Sequence, residues 1–284
     1  SPKAAQRQSR GLHGSCTLEH KHTDQCRHFS TADEMKRKVD EYMKEHGDDV
    51  PELKGSHPEL EDVLAGNQAW VDKMNETDPD FFKRLTPQNP RYLYLGCSDA
   101  RVDPIQLMGL EYGALFVHRN VGNQVAPNDL NILSVIDFSV NVLKVPHIVV
   151  CGHYDCGAVR GSVAKPDAGG LGLVENWLRN IRDVARLHHD ELKALPDPET
   201  RHRRLVELNV MEQCLNVLKV GTVQRARMKS HVIGQTEVTL PRVHGLVFDP
   251  ADGVLHKLKV DFGKVEQYGD LYDLYQVPDW AKSQ

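Results

Sequence analysis

The chain has 284 residues, 40% hydrophobic and 26% charged, with a net charge of −5 at neutral pH. That balance is ordinary for a soluble globular protein and allows one large domain or two small ones. It gives no basic stripe for nucleic acid, and no apolar run approaches the ~20 residues that span a bilayer. The six cysteines (Cys16, Cys26, Cys97, Cys151, Cys156 and Cys214) are too scattered for a small disulfide scaffold.

Residues 1–18 carry Lys3, Arg7 and Arg10 with Ser1, Ser9 and Ser15, and the first acid is Glu19. Basic, Ser-containing, acid-poor composition is that of a mitochondrial presequence, which suggests the mitochondrial matrix; the alternative is a tail of accidental composition on a cytoplasmic protein. A start at Ser1 fits a trimmed precursor or a recombinant form. Residues 1–30 read as a mobile tail. His13, Cys16, His20, His22, Cys26 and His28 fall in it. Their spacing matches no common zinc finger, and the segment lacks the hydrophobic partners that would fold it.

From Thr31 the chain turns helical, with Met35, Val39, Tyr42 and Met43 on one stripe. Asp48 to Pro58 reads as a loop, and Leu60, Val63, Leu64 and Trp70 to Met74 give a second helix an apolar face. Pro87-Gln88-Asn89-Pro90 breaks the chain before a strand. Short apolar runs at 92–97, 114–119 and 147–151 read as buried strands. Leu130–Val145, Val174–Leu187 and Arg203–Val220 read as helices. Val243–Asp249 and Val254–Val260 read as a hairpin. Strands alternating with helices predict an α/β fold with a mainly parallel sheet. The expected organisation is a tail over 1–30, a helical arm over 31–90 and an α/β domain over 91–284.

Cys97 opens Cys97-Ser98-Asp99-Ala100-Arg101, and His153 and Cys156 stand in Cys151-Gly152-His153-Tyr154-Asp155-Cys156-Gly157. Two thiols and one imidazole make three candidate zinc ligands, where a closed structural site would use four. Three protein ligands leave a position for water, which catalysis needs. Taken singly, the cysteines read as small buried hydrophobes. Taken together with His153 at strand carboxyl ends, where open α/β sheets bind ligands, they read as a site. Thiolate ligation favours a reducing compartment. Asp99 and Arg101, two residues apart on a turn, are placed to pair through a bidentate bond.

This pattern resembles the zinc site of the β-class carbonic anhydrases. Phe116-Val117-His118-Arg119-Asn120-Val121-Gly122-Asn123 is similar to the segment after that family's second strand. Val150-Cys151-Gly152-His153 and Cys156-Gly157 are similar to its third. The likeness runs over roughly residues 60 to 262 and leaves the tail outside. It implies a parallel sheet flanked by helices, with N-terminal helices that pack on a partner subunit in a homodimer or a dimer of dimers. It implies one Zn²⁺ per subunit on Cys97, His153 and Cys156. The implied activity is reversible hydration of CO₂ to bicarbonate and a proton by zinc-bound hydroxide. Asp99 would orient the hydroxide and Arg101 would hold Asp99; an Asp99 released from Arg101 would take the fourth zinc position and expel water. The implied substrate pocket comprises Phe116, Val121, Phe138, Gly157 and, from the neighbouring subunit, Gln88. Without the resemblance, Phe116, Val121 and Phe138 read as plain core and Gln88 as a solvated loop residue.

Two departures stand out. Family members inhibited by bicarbonate at a second site carry a Trp where this chain has Tyr94 and a Tyr where it has Phe248, whereas the arginine is kept as Arg119. Weak or absent regulation of that kind is therefore expected. Rival readings are a carbon disulfide or carbonyl sulfide hydrolase on the same scaffold, and a non-catalytic zinc protein that binds bicarbonate. The presence of Asp99 and Arg101 favours catalysis over the second. Two thiolates cancel the formal charge of Zn²⁺, so a bound water should be acidified less than in sites of neutral imidazoles, where its pKa is about 7. CO₂ hydration measured from slightly acidic to alkaline pH should therefore climb on the alkaline side of neutrality; a flat profile contradicts the charge argument.

Overall fold

The computed structural model describes residues 32–46, 59–164, 172–232 and 239–262. The tail over 1–30 with its Cys/His cluster, and the loop read at Asp48 to Pro58, lie outside the described residues. The chain falls into two units, one ending at Asp72 and the other beginning at Lys73. The first contains α1 (Ala32–His46) and most of α2 (Leu60–Thr77). Val39, Tyr42 and Met43 on α1 and Leu60, Val63 and Leu64 on α2 are all exposed.

The second unit is built on a five-stranded sheet of order β2-β1-β3-β4-β5. Its strands are β1 (Tyr92–Cys97), β2 (Leu115–Asn120), β3 (His147–His153), β4 (Arg242–Phe248) and β5 (Leu255–Lys257). The first four run parallel, and β5 turns back antiparallel on β4 through the expected hairpin. The helical segments in chain order are α3 (Phe81–Arg84), α4 (Pro104–Leu107), α5 (Leu130–Asn141), α6 (Gly157–Val163), α7 (Leu173–Leu187), α8 (His189–Lys193), α9 (Pro198–Lys219) and α10 (Gly221–Val232).

Local chemistry sets these boundaries. Asp129 accepts from the Asn131 N–H at the start of α5, relieving one unpaired donor of the first turn. That helix stops short of the expected Val145. Lys144 is left-handed at φ 55° and Pro146 follows, and neither fits a continuing helix. Helix α9 starts five residues before the expected Arg203, because Asp197 caps it through the Thr200 N–H and Pro198 occupies its first position. Helices α6, α8 and α10 carry no clear apolar stripe and escape a reading by period.

Alternation along the strands separates two clusters. Leu93, Leu95, Ile148 and Val150 join Ile132 and Ile136 of α5, Leu178 and Ile181 of α7, and Val206, Val210 and Cys214 of α9. The intervening Tyr94, Val149 and Cys151 form the smaller cluster. Helix α9 lies so close to β3 that a Cβ on Gly152 would sit 2.6 Å from Val210. Gly152→Ala should therefore cost about 1–3 kcal/mol in chemical denaturation through overpacking. Gly157→Ala, where an added Cβ meets nothing within 4 Å, should stay within about 0.5 kcal/mol.

Candidate metal centre

Two strand ends and one helix cap bring three ligand side chains together. Cys97 ends β1 and His153 ends β3. The parallel register sets Gly96 beside Cys151, so both strands deliver their last side chains to the same end of the sheet. Cys156 follows after two residues as the cap of α6. Asp155 makes the turn between them at φ 54°, a left-handed conformation that Asp tolerates better than most residues. All three ligand side chains are buried.

The two sulfurs are 4.0 Å apart, and the ligand atoms of all three residues lie within 4.8 Å of one another. A tetrahedral zinc with ordinary Zn–S and Zn–N lengths separates its ligand atoms by roughly 3.5–3.8 Å, so the set fits with a small inward adjustment. His153 Nδ1 lies 2.9 Å from the Tyr154 carbonyl. A carbonyl only accepts, so Nδ1 carries the hydrogen and Nε2 the lone pair. Nε2 is buried with no hydrogen-bond partner among the described residues. A buried polar atom left in that state costs about 1–3 kcal/mol. Two sulfurs beside a bare nitrogen are the donor set of a borderline cation such as zinc.

The thiols share one strongly biased titration. Cys97 is drawn down, because Cys156 donates to its thiolate and the Gly122 and Asp99 N–H groups face it. Cys156 is pushed up, because ionising it would bury a second negative charge beside the first. Ionising one thiol therefore opposes ionising the other.

Around the ligands stands a set of ion pairs. Arg101 donates from Nε and Nη2 to the two oxygens of Asp99 at 3.0 and 2.9 Å, and its backbone N–H adds a third bond at 2.9 Å. This guanidinium holds the Asp99 carboxyl down at about 2. Asp99 Oδ2 is 3.7 Å from His153 Nε2, so the carboxylate borders the metal position. Arg101 also reaches the Asp155 carboxylate at 3.1 Å and its carbonyl at 3.2 Å. Arg119 donates to the Cys97 and Asp99 carbonyls at 2.7 and 2.5 Å. Asp155, which reading by motif passed over, thus ties the loop after β1 to the link between His153 and Cys156. Its place inside the ligand motif was the only available signal.

The remaining expected site residues divide. Phe116 and Phe138 pack together with ring centroids 5.8 Å apart. Val121 is two-fifths exposed, and its carbonyl accepts from Trp177 Nε1 at 2.7 Å. Gly157 opens α6 beside Cys156 and faces open space. Gln88 is exposed before β1, whereas Cys97 ends that strand; six strand residues separate the two ends by roughly 17 Å. Tyr94 is fully buried, and its ring fills the space where a Cβ on Gly96 would stand. A second trio, Asp249, Asp252 and His256, also brings ligand atoms within 4.8 Å. There Arg203 and the Ala251 N–H already take the two Asp249 oxygens at 2.9 and 3.0 Å.

A carbonic anhydrase family model matches residues 92–255. A carbonic anhydrase of Emericella nidulans is 45% identical over 76% of this chain and 89% of its own length. A solved tetrameric β-carbonic anhydrase of Sordaria macrospora is 34% identical, covers 70% of this chain and 96% of its own, and superposes with a TM-score of 0.63. A solved β-carbonic anhydrase of Aspergillus fumigatus is 31% identical over 77% of this chain and 99% of its own, with a TM-score of 0.67.

Zinc must expel the proton that the raised Cys156 keeps, whereas the lowered Cys97 gives up its own more readily. Apparent zinc affinity, measured by chelator competition, should therefore rise about tenfold per pH unit near neutrality. The slope should steepen in acid, where the raised His153 also has a proton to lose. An affinity independent of pH would show that both thiols ionise without metal.

Proposed function

The chain belongs to the carbonic anhydrase family, and on that premise we propose that Asp99, locked by Arg101, steers the attacking water in the hydration of carbon dioxide. The reaction is the zinc-dependent, reversible conversion of CO₂ to bicarbonate and a proton, and the chain is of the β class. Cys97, His153 and Cys156 would hold the metal, which when bound would supply the Lewis acidity that lowers the pKa of a water. The observation that carries this reading is the bare, buried Nε2 of His153 beside two sulfurs, with a carboxylate 3.7 Å away.

Asp99 is a carboxylate throughout the working pH range, because Arg101 holds its pKa at about 2. It can therefore only accept a hydrogen bond, and it turns a water or hydroxide so that the oxygen's free lone pair faces away from the carboxylate. The three bonds from Arg101 fix both Asp99 oxygens. They support a resting arrangement in which Asp99 stays out of the ligand set. A bidentate Arg pair is suited to this, because it fixes the plane of the carboxylate as well as its place. A protein that only bound bicarbonate would have no use for a carboxylate presented this way.

CO₂ is small and apolar, so its place beside the nucleophile must be dry. Val121 supplies apolar surface and Gly157 removes a side chain beside Cys156. Phe116, opposite Leu93, and its partner Phe138 lie back along the strand from Cys97 and suit the site of a second copy. Gln88 stands at the wrong end of β1 to reach the site of its own subunit. That position supports a role in the site of a second copy, with the homodimer as the minimal active unit and a dimer of dimers as its larger form. The solved Sordaria macrospora relative is tetrameric. Exposed apolar residues on α1 and α2 suit arms that lie on a partner subunit. Burial of Tyr94 where a bicarbonate-binding Trp would stand supports the absence of that regulation.

Asp99→Asn keeps the shape of the side chain but loses the charge that pairs with Arg101. Stopped-flow CO₂ hydration should fall by about 10²-fold in kcat/KM, with zinc content unchanged at one per chain. Hydration at the wild-type rate in that variant would remove the steering role.

A further inference from the structure

We propose that Tyr154, clamped by Arg203 and Glu207 of α9, is a positioning residue for the reaction, because its carbonyl sets the tautomer and ring orientation of His153. The proposal rests on His153 being a metal ligand. His153 Nδ1 donates to the Tyr154 carbonyl at 2.9 Å. That bond leaves the bare Nε2 within 4.8 Å of both sulfurs, and a rotated peptide plane at Tyr154 would aim it elsewhere. In metal sites such outer partners set ligand orientation and basicity.

Backbone bonding alone leaves the plane incompletely fixed. The Tyr154 N–H donates to the Phe248 carbonyl at 2.9 Å, but Asp155 beyond it sits in a sparsely populated conformation at φ 54°. The Tyr154 side chain supplies the missing restraint. Its hydroxyl donates to Glu207 Oε1 at 2.8 Å. The Arg203 guanidinium lies over its ring with Cζ 3.5 Å from the centroid, well inside cation–π range.

Each clamping group is held in turn. Arg203 donates to Asp249 Oδ2 at 2.9 Å, and Arg204 donates to Glu207 Oε2 at 2.6 Å and to Glu191 at 2.6 Å. Three elements therefore converge on one peptide: α9, the turn after β4, and the link between two ligands. An ordinary packing role for Tyr154 would require only an apolar pocket. This one is bounded by a cation on its face and a carboxylate at its tip.

Removing a group that contacts a metal ligand directly costs about 10–100-fold in metal affinity. Arg203 and Glu207 act through Tyr154, so a smaller effect is expected. The test measures chelator-driven zinc release from the holoenzyme, alongside melting temperature. Tyr154→Phe and Arg203→Ala should release zinc about three- to tenfold faster, and Glu207→Gln, which keeps an acceptor for the hydroxyl, should stay within about twofold of wild type. Val223→Ala, a buried change on α10, sets the release caused by plain loss of stability. Release from Tyr154→Phe and Arg203→Ala no faster than from Val223→Ala, at matched melting temperature, overturns the proposal. His153→Ala still holding one zinc per chain would instead overturn the ligand reading, and the proposal with it.

Discussion

Two ionised sulfurs cannot rest 4.0 Å apart in a buried site without a cation to share. The architecture around the site serves to make that approach unavoidable. Cys97 is fixed by the end of a central strand, and Cys156 by the first turn of a helix. The backbone that carries both sulfurs is thus held in place by the core. The imidazole of His153 adds a third donor whose free nitrogen has nowhere else to turn. The result is a small volume in which every group is ill-satisfied by protein alone and well satisfied by a divalent metal.

Arginines stitch the surrounding loops to this volume. Arg119 reaches from β2 to the carbonyls of Cys97 and Asp99, so the segment leaving β1 cannot peel from the neighbouring strand. Arg101 spans two segments more than fifty residues apart in sequence, gripping Asp99 on one side and Asp155 on the other. A single guanidinium thus couples the carboxylate beside the metal position to the turn that carries two ligands. Charge and position reinforce each other, because the same bonds that orient Asp99 also keep it ionised.

Much of this was legible in the sequence. Strands β1 and β3 are short apolar runs buried on both faces, whereas β2 at the sheet edge is only half-buried, with Val117 exposed. Cys97, His153 and Cys156 were legible as ligands because their types and their places at strand ends agree. Asp99 and Arg101 were legible because the pair is local. Tyr154, Arg203 and Glu207 were not, since a contact between residues some fifty apart has no signature in a chain that is 26% charged. The same holds for buried polar residues of α9. Asn209 and Gln213 answer the Gly122 carbonyl and the Val125 N–H, yet by period they look like the polar face of a surface helix. Helices α8 and α10 were hidden because tertiary packing, rather than a stripe, holds them.

The left-handed residue at Asp155 has a wider consequence. It turns the chain so that a strand-end imidazole and a helix-capping thiol, three residues apart, face the same point. Backbone geometry thus brings two of the three donors together, which limits the ordering entropy lost on capture. The donor set is also a filter. Two sulfurs and a nitrogen at these spacings offer nothing to hard ions that demand six oxygens, such as magnesium or calcium, and suit a tetrahedral ion of intermediate softness. Discrimination among metals thus follows from donor chemistry that one backbone torsion helps to bring together.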